Sequence, residues 1–138
     1  MYGIGFCKHG ARFVVAGVTM LAAIGATRAA WSQELTYTEV QATQGATAFA
    51  SECARCHGAQ GQGGEGTALI GNQFDGVWRG EQAKVLFTYI KENMPADKAG
   101  TLKDADAVLY MAHILKLNGI PAGAQALTPN PAGTIPKK

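Results

Sequence analysis

The stretch Cys53-Ala54-Arg55-Cys56-His57 carries the most specific signal in this chain of 138 residues. It sets two thiols two residues apart and follows the second thiol directly with an imidazole. From a single helical turn both sulfurs can reach the same side of the chain, and the histidine is carried beside them. Haem attachment, a redox disulfide and a zinc site are the chemistries that use these groups at close spacing.

The spacing of this motif predicts covalent attachment of one haem. In this chemistry the thiols of Cys53 and Cys56 add to the two vinyl groups and form thioethers. The gap of two residues lets both sulfurs reach one edge of the ring, and His57 then lies under the iron as its proximal ligand. Haem c is therefore the expected cofactor.

Three other interpretations of the motif compete with haem. A redox-active disulfide is typical of an alternating strand and helix pattern, which the surrounding sequence lacks. A structural zinc site needs four ligands, and beyond the first 32 residues His113 is the one histidine besides His57. Chance co-occurrence of the three residues is the last alternative.

Residues 1–32 have the composition of a secretory signal peptide. Two cations precede an apolar run at 13–25, and small residues follow it. This run is short for a membrane span, which needs roughly 20 apolar residues. We expect cleavage after Ser32, with Ala29 or Ala30 as alternatives, although an uncleaved short anchor is also open. The mature protein is then expected in the periplasm, without a membrane span.

The charge of the mature chain differs from that of the whole chain. The full sequence has 12 Lys and Arg against 10 Asp and Glu, a formal charge of +2. From residue 33 onward the count is 9 against 10, a formal charge of −1. No basic face for nucleic acid is expected, and the acidic balance favours a partner with a basic docking patch.

The apolar pattern beyond residue 42 predicts an all-α domain. Apolar residues recur at helical spacing, and no alternating strand pattern of useful length occurs. We expect helices at 43–52, 81–92 and 101–118, with a Gly-rich loop at 58–76 between the first two. A capping box at Thr101 is expected to start the last helix, and Gly119 to end it.

The same pattern divides the mature chain into three parts. Residues 33–42 are expected to form a flexible N-terminal segment, and residues 43–120 the folded domain. Residues 121–138 form a Pro-rich C-terminal tail, which could clamp onto a partner or be disordered. A domain of this size has a small core, so a buried haem would supply apolar area that the chain lacks.

The second axial ligand of the iron has three candidates in the mature chain. Met94 lies in a break between helices and is followed by Pro95, so its sulfur can be held toward the iron. Met111 and His113 lie within the last helix, where a side chain more often fills the core. We expect His57 and Met94 as the ligand pair. Such a pair raises the reduction potential and leaves no free coordination position, which favours electron transfer.

The sequence resembles class I c-type cytochromes over residues 43–120, and most of all the single-haem ones that accompany periplasmic quinoprotein or flavoprotein dehydrogenases. The resemblance implies a small all-α class I cytochrome c fold, with helices wrapped around one covalently bound haem. The matching positions are Gly45, Phe49, Gly66-Thr67-Ala68-Leu69, Asn93-Met94-Pro95 and residues 112–119.

Two positions depart from the family pattern. Thr67 stands where the family has proline, whose carbonyl accepts the Nδ1–H of the proximal histidine, and Thr67 keeps a carbonyl. His113 stands where the family has an aromatic residue packed against Gly45. Trp78 and Arg79 resemble residues that approach a haem propionate, and an indole N–H and a guanidinium suit a carboxylate.

The resemblance implies a periplasmic electron carrier that is not itself an enzyme. It would move electrons one at a time from a dehydrogenase toward a terminal oxidase or another cytochrome. Two alternatives remain open: a catalytic or sensing haem protein of the peroxidase kind, and a subunit bound permanently in a respiratory or dehydrogenase complex.

Overall fold

The computed structural model describes residues 34–138, so the expected signal peptide lies outside the described residues. The described chain forms five α-helices and one 3₁₀ turn. In chain order they are α1 (Glu39–Glu52), α2 (Ala54–His57), α3 (Gly71–Trp78), α4 (Ala83–Asn93), the turn Ala96–Lys98 and α5 (Asp104–Leu117). Over these residues the predicted all-α fold is confirmed, because the β-structure there is one isolated bridge between Gln82 and Thr134.

None of the helices in this part of the chain is both long and apolar enough to cross a membrane.

Helices α1 and α5 make the most extensive contact between helices, and Gly45 lies at its centre. A Cβ atom placed on Gly45 would overlap the carbonyl of Leu109 and lie 3.0 Å from the Cβ of His113. One turn later, the rings of Phe49 and His113 pack with their centroids 5.1 Å apart. The two helices therefore approach with backbone against backbone, and His113 packs between them as expected from the resemblance.

Helix α1 begins earlier than the apolar pattern indicated, at Glu39 instead of Thr43. The hydroxyl of its N-cap, Thr38, accepts the backbone N–H of Gln41 at 3.2 Å, and the Gln41 side chain accepts the backbone N–H of Thr38 at 3.1 Å. This reciprocal pair is a capping box that satisfies two free N–H groups at the helix start.

The expectation of a flexible segment at 33–42 is wrong for the residues of it that the structure describes. The Tyr37 side chain is 1% exposed, and its hydroxyl donates to the carbonyl of Ile120 at 2.5 Å. The Gln41 amide also holds both backbone groups of Leu127, each at 2.8 Å. These contacts join the N-terminal segment to the chain that follows α5.

The C-terminal tail, residues 121–138, packs on its own domain and is neither free nor disordered. Ile135 is fully buried, with 0% of its side chain exposed. Its N–H donates to the carbonyl of Glu81, and its carbonyl accepts the N–H of Gly80, both at 2.9 Å. The proline-rich composition predicted the extended shape of the tail but not the surface that it covers.

Helix α3 was not predicted, and the start of α5 differs from the expectation. The Gly-rich loop predicted at 58–76 ends at Gly71, where α3 begins, because the buried ring of Phe74 outweighs the low helix propensity of glycine. Helix α5 lacks the predicted capping box. The hydroxyl of Thr101 donates to the carbonyl of Lys98 at 2.7 Å instead.

Replacing Gly45 with alanine is expected to lower the free energy of unfolding by about 1–3 kcal/mol, because the methyl group must push α1 away from α5. Gly76→Ala in α3 is the matched control, since a Cβ atom placed there would meet none of the described residues within 4 Å. We expect that control to gain roughly 0.5–1 kcal/mol from better helix propensity. Urea unfolding of both variants measures the difference, and equal losses would contradict the close approach.

Candidate functional site

A cavity of about 460 Å³ opens between α2, the loop after it and the segment after α4. Its wall is mainly apolar and aromatic, and the side chains that form it are Phe49, Leu69, Tyr89, Ile90, Leu102, Tyr110 and Ile114. Four exposed charged side chains also line the cavity and so lie toward its opening. They are Glu52, Arg55, Glu65 and Asp97. A large apolar ligand with a polar edge suits such a cavity.

The short helix α2 brings both thiols and the imidazole to this cavity. Cys53 ends α1 and begins α2, with its N–H bonded to the carbonyl of Phe49 at 2.9 Å. Its own carbonyl accepts the N–H groups of Cys56 and His57 at 3.2 and 3.0 Å. All three side chains line the cavity, and the two sulfurs are not bonded to each other.

The electrostatic environment of Cys53 differs from that of a nucleophilic cysteine. Burial, followed by the charges of Glu52 and Cys56, raises the pKa of the Cys53 thiol to about 11. Cysteines that exchange disulfides have a lowered pKa, because the thiolate is the attacking species. The Cys53 thiol has the opposite property.

The imidazole of His57 is oriented by the loop that follows it. Its Nδ1 lies 2.7 Å from the carbonyl oxygen of Thr67, so an N–H there can donate and leave Nε2 free to bind a metal. Gly66 passes directly beside the ring, and a Cβ atom on it would lie 3.0 Å from His57 Nδ1. Thr67 thus supplies the carbonyl expected at this position, without the proline.

Met94, which lies far along the chain from the cysteines, lines the same cavity. It follows α4 as its C-cap, and its N–H donates to the carbonyl of Ile90 at 3.0 Å. Met111 is fully buried in the core and does not line the cavity. Of the two methionines in the described residues, Met94 is the one placed to reach a ligand beside His57.

His113 is also absent from the cavity wall. Its Nδ1 is buried without a hydrogen-bond partner among the described residues. Burial, and to a smaller extent the charge of Lys116, lowers the pKa of His113. A neutral imidazole packed on Phe49 fits this position better than an iron ligand.

Trp78 and Arg79, which the resemblance places near a haem propionate, do not line the cavity. The Arg79 guanidinium donates to Asp75 at 3.1 Å, to the carbonyl of Asn118 at 2.6 Å and to that of Pro136 at 3.0 Å. Trp78 packs against Tyr89, with ring centroids 5.3 Å apart. Arg79 therefore ties helix α3 and the end of α5 to the tail.

Several residues of the cavity wall were not predicted as site residues, among them Leu102, Tyr110 and Ile114. Tyr110 and Ile114 are four residues apart, so they lie on one face of α5. That spacing was readable in the sequence, but the neighbouring face is equally apolar. Which face meets the cavity depends on how α5 lies against α1.

The residues present fit haem c. The two cysteine sulfurs line a largely apolar cavity beside an imidazole whose Nδ1 is already engaged, and Met94, whose thioether could ligate iron, lines the same cavity. Gly66 leaves the ring of His57 the space that it needs. Zinc fits less well, because residues 34–138 contain no group of three or more His, Cys, Asp or Glu side chains able to hold an ion.

Comparison with known proteins gives two matches. A family model described as cytochrome c oxidase, cbb3-type, subunit III matches residues 40–114. Among solved structures, the sulfane dehydrogenase SoxCD from Paracoccus pantotrophus is similar, with a TM-score of 0.53 and 22% identity. That match covers 72% of this chain and 57% of the SoxCD chain, and it shows a shared fold. No curated protein matches the sequence.

The family model spans more than half of the chain, and its range includes the motif at 53–57, the loop that holds His57 and the segment after α4. The resemblance to class I c-type cytochromes is thereby confirmed. The chain belongs to this family of c-type cytochromes and is an electron-transfer haem protein.

Proposed function

We propose that the chain, after export to the periplasm, carries electrons one at a time on a single covalently attached haem. In this proposal its donor is a dehydrogenase, and its acceptor is a terminal oxidase or another cytochrome. One observation carries the proposal: Cys53, Cys56, His57 and Met94 line one cavity, although Met94 lies far along the chain. No other arrangement of the described residues accounts for these four side chains together.

Haem c, when bound, supplies an iron that alternates between its ferric and ferrous states. The chain's own residues attach, orient and shield this group. Cys53 and Cys56 would hold it through thioethers, and His57 and Met94 would ligate the iron. Thr67 accepts the Nδ1–H of His57, which keeps the ring in one orientation and raises its basicity as a ligand.

The apolar wall has a separate effect on electron transfer. Aromatic and aliphatic side chains, with Phe49 and Tyr110 among them, exclude water from the space around the cofactor. A low local dielectric disfavours the extra positive charge of the ferric state, so the wall and a methionine ligand both raise the reduction potential. Such a potential suits an acceptor of electrons from dehydrogenases.

A catalytic or sensing haem protein is the alternative class of function. It needs an open coordination position with an acid or base beside it. The one other histidine among residues 34–138 packs on Phe49 away from the cavity wall. In this proposal Met94 fills the coordination position that such a protein would keep open, and this supports the carrier.

A second candidate within electron transfer is a permanent subunit of a larger complex. The description of the matching family, an oxidase subunit, favours it. The fold shared with a dehydrogenase is compatible with either a bound or a diffusing partner. Acidic side chains at the cavity opening, such as Glu52 and Glu65, suit a basic patch on that partner.

Met94→Ala is expected to abolish the long-wavelength charge-transfer band that a methionine gives with ferric haem. The reduction potential should fall, because the sulfur ligand is lost. Carbon monoxide should bind the reduced variant at least about tenfold faster, a change of roughly 1.4 kcal/mol in barrier. Met111→Leu is the control, because Met111 is buried outside the cavity wall. A band that survives in Met94→Ala would contradict the assignment.

Gly66→Ala is expected to displace the imidazole of His57, since the new methyl group would stand 3.0 Å from its ring atoms. A weaker bond to Thr67 makes the ring a poorer electron donor, so the reduction potential should rise. The free energy of unfolding should fall by about 1–3 kcal/mol. Gly76→Ala serves again as the matched control. Equal potentials in the two variants would refute this role of the Thr67 carbonyl.

The donor can be identified directly in a periplasmic extract. We expect catalytic amounts of one dehydrogenase fraction, supplied with its substrate, to reduce the purified ferric protein. Visible spectra follow the reduction, and size-exclusion chromatography shows whether the cytochrome elutes apart from the dehydrogenase. Joint elution at high salt would favour the permanent subunit. If no fraction reduces the protein, a dehydrogenase is not its donor.

A further inference from the structure

The segment after α4 is weakly attached to the rest of the domain. This segment, residues 94–103, is here called the distal segment, because it begins with Met94. Every side chain from 96 to 101 in it is exposed. Among the described residues, its hydrogen bonds reach at most four positions along the chain, with one exception. Half-buried Met94, Pro95 and Leu102 supply its apolar contacts.

The loop on the other side of the cavity is attached much more firmly. The N–H of Gly63 donates to the carbonyl of His57 at 2.7 Å, and the N–H of Gly66 donates to that of Cys56 at 2.8 Å. The side chain of Asn118, at the end of α5, donates to the carbonyl of Leu69 at 2.8 Å. The position of His57 is therefore fixed by several bonds, whereas that of Met94 is not.

The one exception in the distal segment, within the part of the chain that the structure describes, is an ion pair across the cavity. Arg55 Nη2 lies 3.3 Å from Asp97 Oδ2, and both side chains line the cavity. Arg55 stands between the two cysteines, and Asp97 lies in the 3₁₀ turn three residues after Met94. The pair therefore connects the turn that would hold the haem to the segment that would hold its second ligand.

We propose that Arg55 and Asp97 are positioning residues that hold the distal segment in place and so keep Met94 on the iron. The inference rests on the proposed function, because it needs Met94 as a ligand. An exposed ion pair changes an equilibrium only a few-fold. Dissociation of a methionine ligand that lies on a weakly attached segment is a local opening of low free energy. A few-fold change in that opening equilibrium is measurable.

The test uses ferric holoprotein and imidazole as a competing ligand. Imidazole binds the iron only where Met94 has left it, so the loss of the methionine charge-transfer band reports how readily the segment opens. Arg55→Gln and Asp97→Asn should each raise the apparent affinity for imidazole about two- to fivefold. The double variant should match the single ones, since either change breaks the same pair.

A field effect on the iron is distinguished by the sign of the changes. Removing the positive charge of Arg55 and removing the negative charge of Asp97 act on the reduction potential in opposite directions. Through the ion pair, both act on imidazole affinity in the same direction. The control is the pair of Lys116 and Glu39, which is also exposed, joins α5 to the start of α1 and does not line the cavity. Lys116→Gln and Glu39→Gln should leave the imidazole affinity unchanged.

The outcomes separate this inference from the proposed function. The positioning role alone is overturned if the wild-type protein has the methionine band but the variants do not change the imidazole affinity or change it in opposite directions. It is also overturned if the two effects add in the double variant. Control variants that respond as strongly also overturn it. A wild-type protein without the band overturns Met94 as a ligand, and the positioning role with it. High salt screens ion pairs, so a wild-type imidazole affinity that rises toward that of the variants at high salt would support the role.

Discussion

The close approach of α1 and α5 at Gly45 is the contact on which the rest of the structure depends. Helix α1 ends at the cysteines, and α5 supplies two side chains of the opposite wall, Tyr110 and Ile114. The absence of a Cβ at Gly45 lets the backbones meet, so it sets the distance between the cysteines at the end of α1 and that wall. A wider separation would open the cavity to water and weaken the hydrophobic stabilisation that its apolar lining provides.

A second junction, at Asn118, joins the tail to the proximal side of the site. Its carbonyl accepts the guanidinium of Arg79, which also donates to the carbonyl of Pro136 in the tail. Its amide donates to the carbonyl of Leu69, in the loop that carries Thr67. The tail is thus linked through Arg79 and Asn118 to the loop that carries Thr67, while the distal segment receives no comparable support from the described residues. This asymmetry suits a site in which the histidine ligand is permanent and the methionine ligand is the weaker one.

Much of the fold was predictable because an amphipathic helix has an apolar periodicity that can be read from consecutive residues. The apolar spacing located α4 and α5 within a few residues, and the aromatic ring of Phe49 indicated the buried face of α1. The two errors at the start of the domain have different causes. The early start of α1 rests on a local pattern, the capping box of Thr38 and Gln41, which the prediction from apolar spacing overlooked. Tyr37, in contrast, is buried only because the chain beyond α5 returns to cover it.

The motif at 53–57 and a preference for Met94 over Met111 as an iron ligand can be predicted from the sequence by itself, and Met94, not Met111, lines the cavity with the cysteines. Thioether attachment uses two thiols and ligation of the iron uses an adjacent imidazole, all at a fixed local spacing, and a methionine before proline in a helix break has a local pattern of its own. Only the tertiary structure decided that Arg79 meets the tail and that Arg55 meets Asp97. The sequence pattern does not predict which partner a charged or backbone group will bind. That pairing depends on which segments the packed helices bring together.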